Sequence, residues 1–92
     1  MADYDDLVEE EMRMATMKVD QILDCKGLLC PLPVIKTKQA IDKMAVGQTL
    51  EMISTDPGSI PDMQAWSKGT GHELLDYKKD NGLFIFYIRK AK

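Results

Sequence analysis

The stretch of sequence that decides the fold is Leu-Asp-Cys-Lys-Gly-Leu-Leu-Cys-Pro-Leu-Pro, residues 23–33. β-Favouring residues lead into a turn that contains Gly27, the turn ends at Cys30, and a helical pattern starts at Pro31. Proline suits the first helical position, because its missing N–H group is not needed there and its fixed φ fits a helix. The stretch therefore predicts a strand, a turn and a helix, with one thiol where the turn meets the helix.

Cys30 is the candidate reactive residue. A helix N-terminus presents unpaired N–H donors and the positive end of the helix dipole, and both favour thiolate over thiol. Lys26 adds positive charge nearby, while Pro31 and Pro33 stiffen the first helical turn. We therefore predict a Cys30 pKa below the free-thiol value of about 8.5. A small, buried and inert cysteine at a helix start is the alternative interpretation.

Apolar periodicity and turn signals predict four strands and two helices in the order βαβαββ. The strands are predicted over residues 18–23, 49–55, 72–79 and 83–90, and the helices over residues 31–44 and from the N-cap Ser59 to Gly69 and Gly71. Asp-Asn-Gly at residues 80–82 predicts a hairpin between the last two strands.

Right-handed crossovers put both helices on the same face of the sheet. The expected fold is therefore α/β, a two-layer sandwich with a mixed four-stranded sheet. Ligand sites form at the carboxyl ends of parallel strands. Cys30 and the loop at residues 56–59 are expected at that edge.

Residues 18–92 resemble the TusA/SirA family of small sulfur-carrier proteins. The resemblance is carried by Leu23-Asp24-x-x-Gly27-Leu28-x-Cys30-Pro31-x-Pro33-Val34, by Lys36-Thr37-Lys38 and Ala40, by Val46-Gly47-x-x-Leu50, by Asp56-Pro57, and by the closing Gly82-Leu83-Phe84 and Ile88-Arg89-Lys90. Many relatives have Glu between the two prolines where this chain has Leu32, and Cys25 is not a fixed feature of the family pattern.

The resemblance implies that Cys30 accepts a sulfur atom as a persulfide and passes it to a partner protein. We predict supporting roles for Gly27, Pro31, Pro33, Lys26 and Asp56; an Asp before Pro more often simply starts a turn, which is the alternative for Asp56. The implied partners are a sulfur donor, either a cysteine desulfurase or a rhodanese-type protein, and an acceptor in a sulfur relay. The relay could serve tRNA thiolation, sulfur oxidation or another sulfur-transfer route. No cofactor is expected, and two cysteines with one distant His72 are too few for a structural zinc site.

Length and composition are typical of one small cytoplasmic domain. Ninety-two residues fit a single core, and no apolar run approaches the roughly 20 residues of a membrane-spanning helix. Two cysteines, without a basic and apolar leader at the N-terminus, indicate a reducing compartment. Outside the acidic N-terminal residues the chain has only a small excess of Lys and Arg over Asp and Glu. That net positive charge is too weak to predict nucleic-acid binding.

Charge divides the chain into an acidic segment and a slightly basic domain. Residues 1–13 carry a net charge of −5, so the remainder carries +2, because the whole chain carries −3. We predict that residues 1–17 form a flexible tail and residues 18–92 the sulfur-carrier domain. The last strand, residues 83–88, is apolar on both faces. We expect its second face to be covered by a partner protein, a second copy of the chain or the N-terminal segment, and the protein to be a monomer or a weak homodimer.

Two other functions remain open at this point. Cys25 and Cys30 could act together as a thiol redox pair, although their spacing differs from that of Cys-x-x-Cys motifs. The chain could also be a non-catalytic regulatory module that binds a partner through the apolar sheet face.

Overall fold

The computed structural model describes residues 19–92 and confirms the predicted α/β sandwich. The predicted tail at residues 1–17 lies outside the described residues. The elements are β1 (Gln21–Cys25), α1 (Leu32–Asp42), β2 (Thr49–Ser54), α2 (Ser59–Thr70), β3 (Glu73–Asp80) and β4 (Leu83–Arg89). The sheet order is β1-β2-β4-β3, with β1 parallel to β2 and the other neighbours antiparallel.

Strand β1 ends two residues later than the sequence predicts. The N–H and carboxylate of Asp20 both bond to the backbone of Thr49, at 2.9 and 2.8 Å. These two bonds set the parallel register of β1 and β2. In that register the pairing continues to Cys25, which lies opposite Ser54. Cys25 is therefore a strand residue, and the loop that carries Cys30 starts after it.

The core lies between the two helices and one face of the sheet. Alternate strand residues point into it, as the period of two requires. Its buried members are Cys25, Leu50, Met52, Phe86 and Ile88 from the sheet, Ala40 and Ile41 from α1, Met44 just after α1, and Met63 from α2. The helical spacing of the sequence predicts an apolar face of Val34, Thr37, Ile41, Met44 and Ala45. Thr37, Ile41 and Met44 are buried and Val34 is half-buried, whereas Ala45 is exposed. This packing fixes the ends of β1 and β2 relative to the starts of both helices.

Ser59 is not the N-cap of α2, contrary to the prediction. The N-cap is Gly58, and Ser59 is the first helical residue. Its buried hydroxyl instead pairs with the hydroxyl of Ser54 at 2.7 Å, because the chain turns so tightly that the strand end faces the helix start. At the other end, Gly71 closes the helix with a left-handed φ of 85°.

The predicted hairpin joins β3 and β4. Asn81 and Gly82 have φ values of 48° and 80°, as a type I′ turn requires.

On the sheet face away from the helices, Tyr87 is only 7% exposed and hydrogen-bonds to Glu51, and the Lys78 ammonium lies 5.9 Å from its ring centroid. The cover of this face by a partner protein, a second copy or the N-terminal segment stays a prediction. Among residues 19–92, no helix is long and apolar enough to cross a membrane.

Candidate functional site

The candidate site is the loop between β1 and α1, which carries Cys30 at the carboxyl edge of the sheet. Gly27 turns this loop with a φ of 80°, a conformation that side chains with a Cβ rarely adopt. Its N–H donates to Oγ1 of Thr55, just after β2, at 2.9 Å. The loops after the two parallel strands are therefore tied together, and Cys30 is exposed beside them.

Asp56 anchors the cysteine backbone. Its Oδ2 accepts the N–H of Cys30 at 2.8 Å, and its Oδ1 accepts the N–H of Gly58 at 3.0 Å. The two N–H donors hold the pKa of the Asp56 carboxyl below its usual value. Asp56 also donates its own N–H to the buried Oγ of Ser54, at 3.1 Å. The predicted supporting residue thus lies at the site, where it fixes the main chain of Cys30.

The sulfur of Cys30 contacts a carboxylate. Its Sγ–H donates to Oδ2 of Asp62, in the first turn of α2. That hydrogen bond raises the pKa of Cys30 above its ordinary value, and desolvation and the charges of Asp62 and Asp56 act in the same direction. The free protein therefore favours the thiol form of Cys30.

The predicted low pKa of Cys30 is wrong, because the hydrogen bond to Asp62, desolvation and the two nearby carboxylates raise it. Helix α1 begins at Leu32, and the N–H of Leu32 is used by the carbonyl of Leu29 at 2.9 Å. Lys26 lies 3.8 Å from the carboxylate of Asp24, with which it forms an ion pair. The Leu32 N–H and the Lys26 ammonium thus have other partners, while two carboxylates lie beside the sulfur.

Both prolines lie one position earlier in α1 than predicted, because the helix begins at Leu32 instead of Pro31. Pro31 is the N-cap and follows a cis peptide bond, and its carbonyl accepts the N–H of Ile35 at 3.1 Å. Pro33 is buried in the first turn, where its carbonyl accepts the hydroxyl of Thr37 at 2.7 Å. The helix start behind Cys30 is therefore packed against the core.

Cys25 and Cys30 lie in different environments, and both are free thiols. Cys25 is fully buried in the core, where burial and the neighbouring charge of Asp24 raise its pKa.

His72 stacks on Trp66 with a ring separation of 5.5 Å, and its Nδ1 accepts the N–H of Ala91. Within residues 19–92, no group of His, Cys, Asp and Glu side chains could hold a metal ion.

Asp62 is the site residue that sequence reasoning missed. Three positions after Ser59, it matches the acidic residue that commonly follows a helix N-cap. The available signal was an acidic side chain in the first turn of the helix that follows β2, because β2 and β1 end at the same edge. Without the loop geometry, that signal equally describes a residue that stabilises the helix dipole.

The sequence of this chain is similar to those of proteins described as sulfur carriers. The sequence profile of the family described as sulfurtransferase TusA matches residues 21–90. The sulfur carrier protein TusA of Allochromatium vinosum is 47% identical over 72 residues, which cover 78% of this chain and 95% of that protein. The protein of the same name from Pseudomonas putida (strain KT2440) is 40% identical over 77 residues, 84% of this chain and 96% of that one.

The fold has a counterpart among solved structures. The crystal structure of a SirA-like protein from Desulfitobacterium hafniense superposes with a TM-score of 0.69 at 27% sequence identity. The match covers 78% of this chain and 99% of that chain. The β1–α1 loop with Cys30 and the start of α2 with Asp62 both lie within the residues that match the family profile.

Proposed function

This chain belongs to the sulfurtransferase TusA family, and from that premise we propose that it is a sulfur carrier whose Cys30 accepts sulfane sulfur as a persulfide and passes it to a partner protein. The observation that carries the proposal is the exposed Cys30 thiol at the carboxyl edge of the sheet, on a loop anchored by Asp56. A carrier needs an accessible sulfur that a partner can approach, and it needs no enclosed pocket.

The chemistry is an exchange between sulfur atoms. The Cys30 sulfur attacks the outer sulfur of a persulfide on the donor, an S–S bond forms on Cys30, and the S–S bond of the donor breaks. The donor cysteine leaves as a thiolate and takes up a proton. One sulfur atom moves and no net oxidation occurs, so the step requires neither a cofactor nor an oxidant.

The second transfer reverses these roles. A thiolate of the acceptor attacks the outer sulfur of the Cys30 persulfide, and Cys30 returns to the thiol state. The donor is a cysteine desulfurase or a rhodanese-type protein, and the acceptor belongs to a sulfur relay such as the one that thiolates tRNA. Exposed apolar side chains beside Cys30, Leu29 at 71% and Leu32 at 44%, provide a contact surface for both.

The redox alternative finds less support. A dithiol switch requires both sulfurs to reach each other and the solvent, yet Cys25 has no exposed surface and belongs to the core. Cys25 could reach an oxidised Cys30 only if β1 opened locally, and that opening would expose core residues. We therefore propose that Cys30 acts alone and that Cys25 is a packing residue.

Intact-mass spectrometry tests the function directly. The protein is exposed to a cysteine desulfurase with cysteine, or to a rhodanese with thiosulfate, and then weighed before and after reductant. We expect the mass of one sulfur atom to be gained, removed by reductant, absent in Cys30→Ser and present in Cys25→Ser. If neither donor produces an adduct on the folded protein, the carrier function is wrong and a non-catalytic interaction module remains.

A further inference from the structure

The thiol of Cys30 is engaged in a specific hydrogen bond although the residue is exposed. Its acceptor is Oδ2 of Asp62, a residue 32 positions later in the chain. The Cys30 N–H is already used by Asp56, so the main chain and the sulfur are held by two different carboxylates. An exposed thiol has little to contribute to folding stability, and the second contact therefore calls for a chemical explanation.

The charged groups around the sulfur come from three parts of the fold. Asp62 comes from α2 and Asp56 from the loop after β2. From the β1 side, Lys26 is paired with Asp24 at 3.8 Å, so its charge is partly offset. Both carboxylates disfavour a negative charge on Cys30, in agreement with the direction of its pKa shift.

We propose that Asp62 handles the proton of Cys30: its carboxylate holds the sulfur as a thiol in the free protein and accepts the proton when sulfane sulfur arrives. The inference rests on the proposed function, because it assigns a role within sulfur uptake. Asp62 is in direct contact with the reacting sulfur, which distinguishes it from Asp56, whose contact is to the main chain.

The proton balance of sulfur uptake gives this contact its purpose. As Cys30 Sγ bonds to the outer sulfur of a persulfide, the S–H proton moves to Oδ2 of Asp62. The S–S bond of the donor breaks, its electron pair stays on the departing sulfur, and the proton passes from Asp62 to that thiolate. The products are a Cys30 persulfide, a donor thiol and an unchanged Asp62 carboxylate.

The two roles of Asp62 predict opposite effects for one substitution. In Asp62→Asn the carboxylate charge is lost, so the Cys30 pKa should fall. The gain in thiolate is partly offset by lower nucleophilicity, so alkylation by iodoacetamide at neutral pH should be about threefold faster than in the parent. An amide cannot accept the proton, however, so sulfur uptake should be about tenfold slower or more. A merely structural role for Asp62 does not predict this divergence.

The experiment measures both rates on the full chain. Iodoacetamide alkylation of Cys30 is followed across a pH series, and sulfur uptake from glutathione persulfide is followed by intact mass. This small donor removes effects of protein docking. Asp62→Glu restores a carboxylate and should return both rates toward those of the parent. Asp42→Asn removes an exposed carboxylate at the far end of α1, where its partner is Lys38, so both rates should stay at the parent's.

Circular dichroism first establishes that each variant is folded, and Asp62→Ser replaces Asp62→Asn if the amide variant is not. The proposal is overturned if the non-acidic variant has the alkylation profile of the parent, or if it takes up sulfur as fast as the parent or faster. If the parent takes up no sulfur from any donor, the proposed function fails and the uptake role fails with it. The alkylation profiles still decide whether Asp62 holds the proton.

Discussion

The backbone N–H of Cys30 donates a 2.8 Å hydrogen bond to Oδ2 of Asp56, a residue 26 positions later in the chain. The other oxygen of Asp56 accepts the N–H of Gly58 at 3.0 Å. One carboxylate therefore fixes both the cysteine loop and the turn into α2. Because each oxygen has its own donor, an amide side chain with a single acceptor oxygen cannot replace it.

We predict that Asp56→Asn lowers the thermal midpoint of unfolding at neutral pH. The two N–H donors lower the pKa of Asp56 in the folded state, below its ordinary value of 3.8. The contribution of the carboxylate is therefore present above the ordinary pKa and is lost as the pH falls through the folded-state pKa. The difference in stability between parent and variant should shrink in acid, as measured by thermal melts at several pH values.

Asp80→Asn is the matched control for this substitution, since Asp80 is exposed at the end of β3. Its midpoint should follow that of the parent across the pH series. A gap between parent and Asp56→Asn that stays constant down to low pH would contradict the assignment of Asp56 as an ionised anchor.

The hydroxyl pair of Ser54 and Ser59 predicts a non-additive double substitution. Both side chains are buried, their Oγ atoms lie 2.7 Å apart, and Oγ of Ser54 also accepts the N–H of Asp56. Ser54→Ala leaves a buried hydroxyl and an amide without this partner, at a cost of about 1–3 kcal/mol of unfolding free energy. Ser59→Ala should cost less, because the Asp56 amide keeps its acceptor.

Urea unfolding of the two single variants and the double variant measures the coupling. We expect the double variant to lose less free energy than the two single variants combined, because it leaves no orphan hydroxyl. Strictly additive losses would mean that the two hydroxyls do not depend on each other.

The parts of the fold that follow from local sequence were predictable. Asn81 and Gly82 accept positive φ, so the hairpin is encoded by neighbouring residues alone. The order of strands and helices, with right-handed crossovers, then leaves few arrangements of the sheet. The position of Cys30 at the carboxyl edge follows from the same topology and was also predicted correctly.

The direction of the Cys30 pKa shift was not predictable, because it depends on contacts between segments that are distant in the sequence. Local sequence shows Cys30 before a helix start and near Lys26, which together favour a thiolate. The structure instead brings Asp62 from α2 to the sulfur and pairs Lys26 with Asp24. No pattern within the β1–α1 segment specifies which side chain of α2 reaches Cys30.

Tyr87 predicts a late tyrosine titration at alkaline pH. Burial, with the hydrogen bond to Glu51 second, raises the pKa of Tyr87 to about 12. Since the folded-state pKa is above the ordinary value of 10.0, the resulting stability is complete below pH 10.0 and declines as the pH rises toward the folded-state value. Tyrosinate absorbance across an alkaline series should therefore show a late step that is absent in Tyr87→Phe.

Tyr77→Phe serves as the control and should retain the late step. If the step is lost in Tyr77→Phe, or is still present in Tyr87→Phe, the late titration belongs to a group other than Tyr87.

The burial of Cys25 predicts that the two thiols differ sharply in accessibility. Cys25 is fully buried and Cys30 is exposed, so a thiol reagent should label one cysteine rapidly in the native protein and the second only when urea unfolds it. Cys25→Ser places a hydroxyl in the core and should lower the free energy of unfolding by about 1–3 kcal/mol. It should nevertheless keep the rapid thiol and take up sulfur at the rate of the parent, whereas Cys30→Ser should lose both without loss of the fold. Two rapidly labelled thiols in the native parent, or loss of sulfur uptake in folded Cys25→Ser, would show that Cys25 takes part in the chemistry.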